Sequence, residues 1–146
     1  MKEKVLIIIK PDGIKRNLVG KIIDRFEKVD LRVSNIKMGK MKKNIARNFY
    51  KHVKKVSDAV YESLVNYISS SKLIFIIFEG KNAADKAKKI TGATDPEKAK
   101  KGTIRRDFGK DSMKKADKEK RAVYNLVHVS DKDKVMKEIK FFFNIR

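Results

Sequence analysis

Not one of the 146 residues is a cysteine. That excludes a disulfide framework, a thiolate metal site and a cysteine nucleophile, and the usage fits an intracellular protein. Long apolar runs are missing as well. Met1, Lys2, Glu3 and Lys4 lead into only five apolar residues, Val5 to Ile9, before Lys10 and Pro11, far short of the roughly 20 needed to cross a bilayer. Neither a membrane span nor a signal peptide is expected, and a cytoplasmic location is. Acidic side chains are scarce: Asp and Glu number 18 against 38 Lys and Arg, leaving a formal charge of +20. The positive charges are spread along the chain rather than gathered in a tail, which suits a lysine-rich coat on an ordinary fold. A field of this size attracts polyanions and weakens as salt rises. Nucleic acid is a partner that such a surface permits without requiring it.

The 41% of hydrophobic residues is enough to fill one core, so residues 1–146 are expected to form a single domain. Lys4 to Lys10 and Leu73 to Glu79 carry unbroken apolar runs short enough to be buried central strands. Leu31 to Met41 changes parity midway, with Leu31 and Val33 on one side and Ile36 and Met38 on the other, so a bulge is expected near Ser34 and Asn35. Ala122 to Val129 alternates, which predicts a fourth strand with Tyr124, Leu126 and His128 on one face. Helical stripes recur at Val19, Ile22, Ile23 and Phe26, and at Tyr61, Leu64, Val65 and Ile68. Asn82 is the expected N-cap of a helix from Ala83 to Thr91 that Gly92 ends. A shorter helix is expected over Ile45 to Val53, and a final one buries Val135, Ile139, Phe142 and Phe143. Lys98 to Lys120 reads as one long irregular stretch, functional or mobile. The resulting order predicts an α+β sandwich, a ferredoxin-like four-stranded antiparallel sheet with helices packed on it.

Chemistry points to the segment from Asn125 to Asp131, where His128, one of two histidines, ends the fourth strand beside small polar residues. An imidazole with an ordinary pKa of about 6.5 is mostly neutral at pH 7, so one ring nitrogen keeps a lone pair able to accept a phosphoryl group. Taken alone, a histidine ending a strand is more often a packed or capping residue. His52, the other one, lies among lysines and is expected to be solvated.

Three blocks change the weight of that segment. Ile9-Lys10-Pro11-Asp12-Gly13, Gly102-Thr103-Ile104-Arg105-Arg106-Asp107-Phe108 and Asn125-Leu126-Val127-His128 resemble, in order, the motifs of nucleoside diphosphate kinases. Arg25-Phe26-Glu27, Glu79-Gly80 and Thr91-Gly92-Ala93-Thr94-Asp95-Pro96 match too, and the resemblance runs from about Val5 to Phe143, nearest to the archaeal branch. It implies a reversible ping-pong transfer of the γ-phosphoryl group from a nucleoside triphosphate to a nucleoside diphosphate through a phosphohistidine at His128. It further implies that Lys10, Lys88, Thr94 and Arg105 hold phosphate, that Asn125 holds the ribose, and that Tyr50 stands near the reacting group. Ser130 and Glu138 resemble the pair that orients the histidine, and Val60 stands where the base stacks. Mg²⁺ would arrive on the nucleotide, with Asp131 reaching it through water, and no metal site is expected from the protein alone. A homo-oligomer, a hexamer, is also implied.

Five positions depart from the family's pattern. Lys88 replaces an arginine, Val60 an aromatic ring, Val129 and Arg106 each a glycine, and Lys101 a proline used at subunit contacts. Tyr61 is a candidate to replace the missing ring, because a two-residue insertion lies nearby. A degenerate homologue that binds nucleotide or nucleic acid without turnover is the alternative these changes raise.

Overall fold

The computed structural model describes residues 2–143. Four strands, β1 (Glu3–Ile9), β2 (Arg32–Gly39), β3 (Leu73–Gly80) and β4 (Val127–Val129), form one sheet in the order β2-β3-β1-β4, every neighbour antiparallel. Helices α1 (Pro11–Lys15) and α2 (Val19–Glu27) follow β1. After β2 come α3 (Lys43–Phe49), a 3-10 turn over Lys51–Lys55, and α4 (Asp58–Ser69). After β3 come α5 (Ala83–Thr91), α6 (Ile104–Phe108) and α7 (Met113–Lys118), and α8 (Val135–Phe143) follows β4.

The unbroken apolar runs are explained by a sheet covered on both faces. Val5, Ile7 and Ile9 of β1 join Ile74, Ile76 and Phe78 of β3 in one core, against Ile22 and Phe26 of α2 and Ala83 and Ala87 of α5. Leu6 and Ile8 join Leu73, Phe75 and Ile77 in a second, against Tyr61, Leu64, Val65 and Ile68 of α4 and Val135, Ile139 and Phe142 of α8. Alternation by two along each strand sends successive side chains to opposite cores. The bulge expected in β2 lies between Val33 and Asn35.

Several local expectations need correction. The fourth strand is three residues long, not eight, because Leu126 has φ 75° and breaks the alternation. Leu126 and Val127 therefore both enter the α2/α5 core, whereas His128 pairs with Ile8 and faces the α8 side. Asn82 stands at the cap of α5 with φ 53°, and its side chain makes no capping bond. Asp12 and Gly13 continue a one-turn helix begun by Pro11. The helix expected over Ile45 to Val53 is divided between α3 and the 3-10 turn. Lys98 to Lys120, expected to be irregular, holds α6 and α7. It is tied down by Arg121, whose guanidinium grips the Asp111 carboxylate at 2.7 and 3.1 Å.

Candidate active site

The site forms where the end of β1 lies beside the start of β4. Lys10, the residue after β1, donates its backbone N–H to the Leu126 carbonyl at 2.8 Å, and its Nζ donates to Asn125 Oδ1 at 2.9 Å. Asn125 Nδ2 in turn donates to the Thr94 carbonyl at 3.0 Å, drawing the loop after α5 onto the same centre. Asp12 completes the clasp. Its Oδ2 accepts the Leu126 N–H at 3.1 Å and its Oδ1 accepts the Tyr67 hydroxyl at 2.6 Å. The unusual backbone of Leu126 is thereby held from both sides, by the Lys10 amide and by the Asp12 carboxylate.

Arg105 ties two separate segments together through three backbone carbonyls: Nε donates to Asn125 at 3.1 Å and Nη2 to Val127 at 2.7 Å in the chain entering β4, and Nη1 to Gly92 at 3.2 Å after α5. Gly92 has φ 88°, and a Cβ there would stand 2.6 Å from Thr103 Oγ1, so only glycine lets this loop pass close enough to meet the guanidinium.

His128 packs edge-on to Phe49, with ring centroids 5.1 Å apart, and lies 6.3 Å from the Tyr50 ring. Its Nε2 is buried and stands 3.7 Å from Glu138 Oε2, itself buried, and neither atom has a hydrogen-bond partner. Ser130 does not reach the imidazole. Its hydroxyl accepts the Leu6 N–H at 2.9 Å and its own N–H returns to the Leu6 carbonyl at 2.9 Å, so it fixes the strand end that carries His128.

Burial governs the charges here. Desolvation lowers the Lys10 ammonium to about 8, with the Arg105 cation adding to the effect and Asp12 opposing it. Arg105 is lowered to about 10 by desolvation, again with Asp12 in opposition. The His128 imidazole falls below its ordinary value, chiefly through burial, while Glu138 pulls the other way. Burial, seconded by the Glu138 charge, pushes the Tyr50 phenol up, so it stays protonated.

These groups border a cavity of about 470 Å³ whose walls include Lys10, Lys88, Thr94, Arg105, Asn125 and His128. Six of the residues singled out from the sequence thus come together. Tyr50 and Glu138 lie behind the imidazole, and Val60 lines neither this cavity nor the neighbouring one of about 680 Å³ between α3 and α8. Tyr61 is not a substitute stacking surface, because it is buried in the α4 core and its hydroxyl donates to the Arg47 carbonyl at 2.8 Å. His52 is exposed as expected, yet it lines both cavities. Sequence reasoning also missed Asp12, whose place inside the first block was the available signal, and Thr91, whose hydroxyl is buried without a partner beside the cavity.

Two departures prove harmless to this geometry. Val129 sits in β4 without a positive φ, the left-handed residue being Leu126 three positions earlier. Arg106 turns away and donates to the Glu97 carbonyl at 2.5 Å. No group of three or more carboxylate or imidazole ligands that could hold a metal occurs among the described residues. None of their helices is long and apolar enough to cross a membrane.

Comparison with known proteins agrees with the geometry. The family model described as nucleoside diphosphate kinase matches residues 3–146. A nucleoside diphosphate kinase of Nitratiruptor is 42% identical over 142 residues, covering 97% of this chain and 95% of the relative. One from Methanocaldococcus jannaschii is 38% identical over 144 residues, covering 98% and 94%. Among solved structures, a transition-state mimic of the Borrelia burgdorferi nucleoside diphosphate kinase with bound vanadate and ADP superposes with a TM-score of 0.90 at 36% identity, covering 97% of this chain and 87% of that one.

Proposed function

The chain belongs to the nucleoside diphosphate kinase family, and from that premise we propose that His128 carries the phosphoryl group from a nucleoside triphosphate to a nucleoside diphosphate. The observation that supports this reading best is the placement of the imidazole. Its Nε2 is turned to Glu138, and the ring forms a wall of the cavity shared by Lys10, Lys88 and Arg105.

With Nε2 facing a carboxylate, the proton is held there, and the lone pair is left on Nδ1. The 3.7 Å separation tightens when nucleotide binds and the imidazole gains positive character, a common behaviour of ligand-free sites. Nδ1 attacks the γ-phosphorus, the bond from that phosphorus to the β,γ-bridging oxygen breaks, and the diphosphate leaves. A second nucleoside diphosphate attacks the phosphohistidine through a β-phosphate oxygen, the N–P bond breaks, and the neutral imidazole returns. Such transfer is loose, with charge spread over the phosphoryl oxygens, so positioned cations do most of the work. Lys10 and Lys88 supply ammonium groups. Arg105 has five N–H donors and spends three on carbonyls, leaving two for phosphate. Thr94 lies on the same wall, Asn125 serves the ribose, Tyr50 keeps its proton near the reacting group, and Ser130 holds the histidine's strand. Val60 remains the candidate at the base, outside the phosphate cavity.

Mg²⁺ fits this cavity only as part of the nucleotide, because the walls are mainly cationic and Asp131 is their one carboxylate. When bound, the metal neutralises phosphate charge, and Asp131 would contact its water shell. A homo-oligomer, taken to be a hexamer, is supported by β2, an edge strand with Ile36 and Met38 exposed. Cytoplasmic residence belongs to the same reading.

Mixing the protein with γ-labelled ATP and Mg²⁺ should give an acid-labile phosphoprotein whose label passes to added GDP. His128→Ala should take up no label while still binding nucleotide. Label retained by that variant would refute the assignment of His128.

A further inference from the structure

Lys88 and Asp131 meet across the mouth of the phosphate cavity, one from the last turn of α5 and the other from the segment after β4. Lys88 Nζ donates to Asp131 Oδ1 at 2.6 Å, and Lys134 Nζ stands 3.8 Å from Oδ2. The Lys88 and Asp131 side chains are 50% and 51% exposed, so the pair sits in water and can part without stranding a buried charge.

The cavity's other cations are engaged differently. Lys10 is held by a neutral amide oxygen and Arg105 by backbone carbonyls. An arriving phosphate has no hydrogen-bonded carboxylate to displace at either of them, Asp12 acting on both only through space. At Lys88 it has one, because an ionised carboxylate already occupies the ammonium. A guanidinium in this place could face two anions with separate edges, whereas an ammonium is a compact point charge with no such fork.

Resting on the nucleotide reading above, we propose that Asp131 is an internal counter-ion of Lys88 that makes the site select metal-chelated nucleotide over bare nucleotide. A bare diphosphate must displace the carboxylate and then lie beside it, negative against negative. A diphosphate carrying a divalent cation exchanges partners in one move: phosphate takes the ammonium, and the carboxylate faces the metal's hydration shell. The first exchange leaves one repulsive contact and the second leaves none. Lys134, on the far side of Asp131, stabilises the released carboxylate and keeps it at the mouth.

The test is equilibrium binding of ADP by titration calorimetry, in excess EDTA and again in excess Mg²⁺, on wild type, Asp131→Asn, Lys88→Ala and the double variant. In EDTA, Asp131→Asn should bind ADP about two- to fivefold more tightly than wild type, the scale of an exposed ion pair. In Mg²⁺ that gain should vanish or reverse. In the Lys88→Ala background the EDTA gain should shrink, because no ammonium is left to release. Asp131→Ser, with an unrelated side chain, should agree in sign. Equal affinity of wild type and Asp131→Asn in EDTA would overturn the proposal. So would an undiminished gain in the Lys88→Ala background, which would reduce Asp131 to a charge acting through space. If no folded variant, wild type included, binds ADP under either condition, the nucleotide reading falls and takes the counter-ion with it.

Discussion

Lys10 and Asn125 are 115 positions apart in sequence, and the Lys10 ammonium donates to the Asn125 amide oxygen at 2.9 Å in a buried setting. This bond joins the end of β1 to the segment entering β4 and brings the first and third sequence blocks into one wall. It also holds a buried cation in the wall of the cavity, where desolvation acts on it.

Burial lowers Lys10 from 10.5 to about 8. Near pH 8 the ligand-free protein therefore holds this proton only part of the time, and a phosphate that needs the ammonium must recruit it. ADP binding at pH 8 is expected to take up a fraction of a proton, read from calorimetric enthalpies in buffers of different ionisation heat. Lys10→Met should abolish that uptake. Stability follows the same residue: the unfolded chain holds the proton up to about 10.5 and the folded chain releases it from about 8, so this term makes folding more favourable as pH rises between them. The urea midpoint of wild type should gain on that of Lys10→Met over this window.

For His128 the direction is downward, again by burial. Phosphorylation by labelled ATP should hold its rate below pH 6.5 and fall only when the imidazole protonates at a lower pH. A midpoint at or above 6.5 would contradict the burial seen here.

Glu138 acts on the imidazole from behind. Hydrogen bonds to charged groups are worth about 1.5–3 kcal/mol, so Glu138→Gln is expected to slow phosphorylation roughly ten- to hundredfold while ADP affinity changes little. Rapid-quench labelling beside a binding titration separates the two. A loss confined to ADP affinity would place Glu138 elsewhere in the mechanism.

Asp12 supports Lys10 and Arg105 electrostatically and grips the Leu126 N–H. Asp12→Asn should move Lys10 further down and weaken ADP binding most at alkaline pH. Tyr67→Phe removes the hydroxyl that the carboxylate accepts from, at a cost of about 1–3 kcal/mol in urea unfolding.

Gly92→Ala forces φ 88° on a residue with a Cβ and drives that carbon into Thr103. A loss of about 1–3 kcal/mol is expected, with Arg105 displaced from the Gly92 carbonyl and ADP binding weakened in the same variant. Unchanged unfolding would show that the loop has room to shift.

Much of this molecule was legible in its residues. The buried central strands, the bulge in β2, the stripes of α2 and α4 and the sheet class follow from apolar patterning, because burial of a strand on both faces leaves an unbroken apolar run and burial of one helix face leaves a period near four in the chain itself. Lys10, Arg105, Asn125 and His128 were found because they recur in compact blocks at readable positions. The family comparison then confirmed the class of protein that those blocks suggested.

Other features rest on pairs of residues far apart in sequence, and local patterns carry no trace of those. Leu126 reads as one more step of an alternating strand, yet Lys10 and Asp12 capture its backbone at φ 75° and turn His128 to the opposite core. Tyr61 looked available for stacking until packing put its hydroxyl on Arg47. Ser130 bonds to Leu6, and Asp131 meets Lys88, only because β4 lies antiparallel to β1 and α5 crosses near its end. Apolar period is a property of consecutive residues, but pairing, desolvation and charge compensation are properties of what the folded chain brings together, so they appear only once the chain has closed on itself.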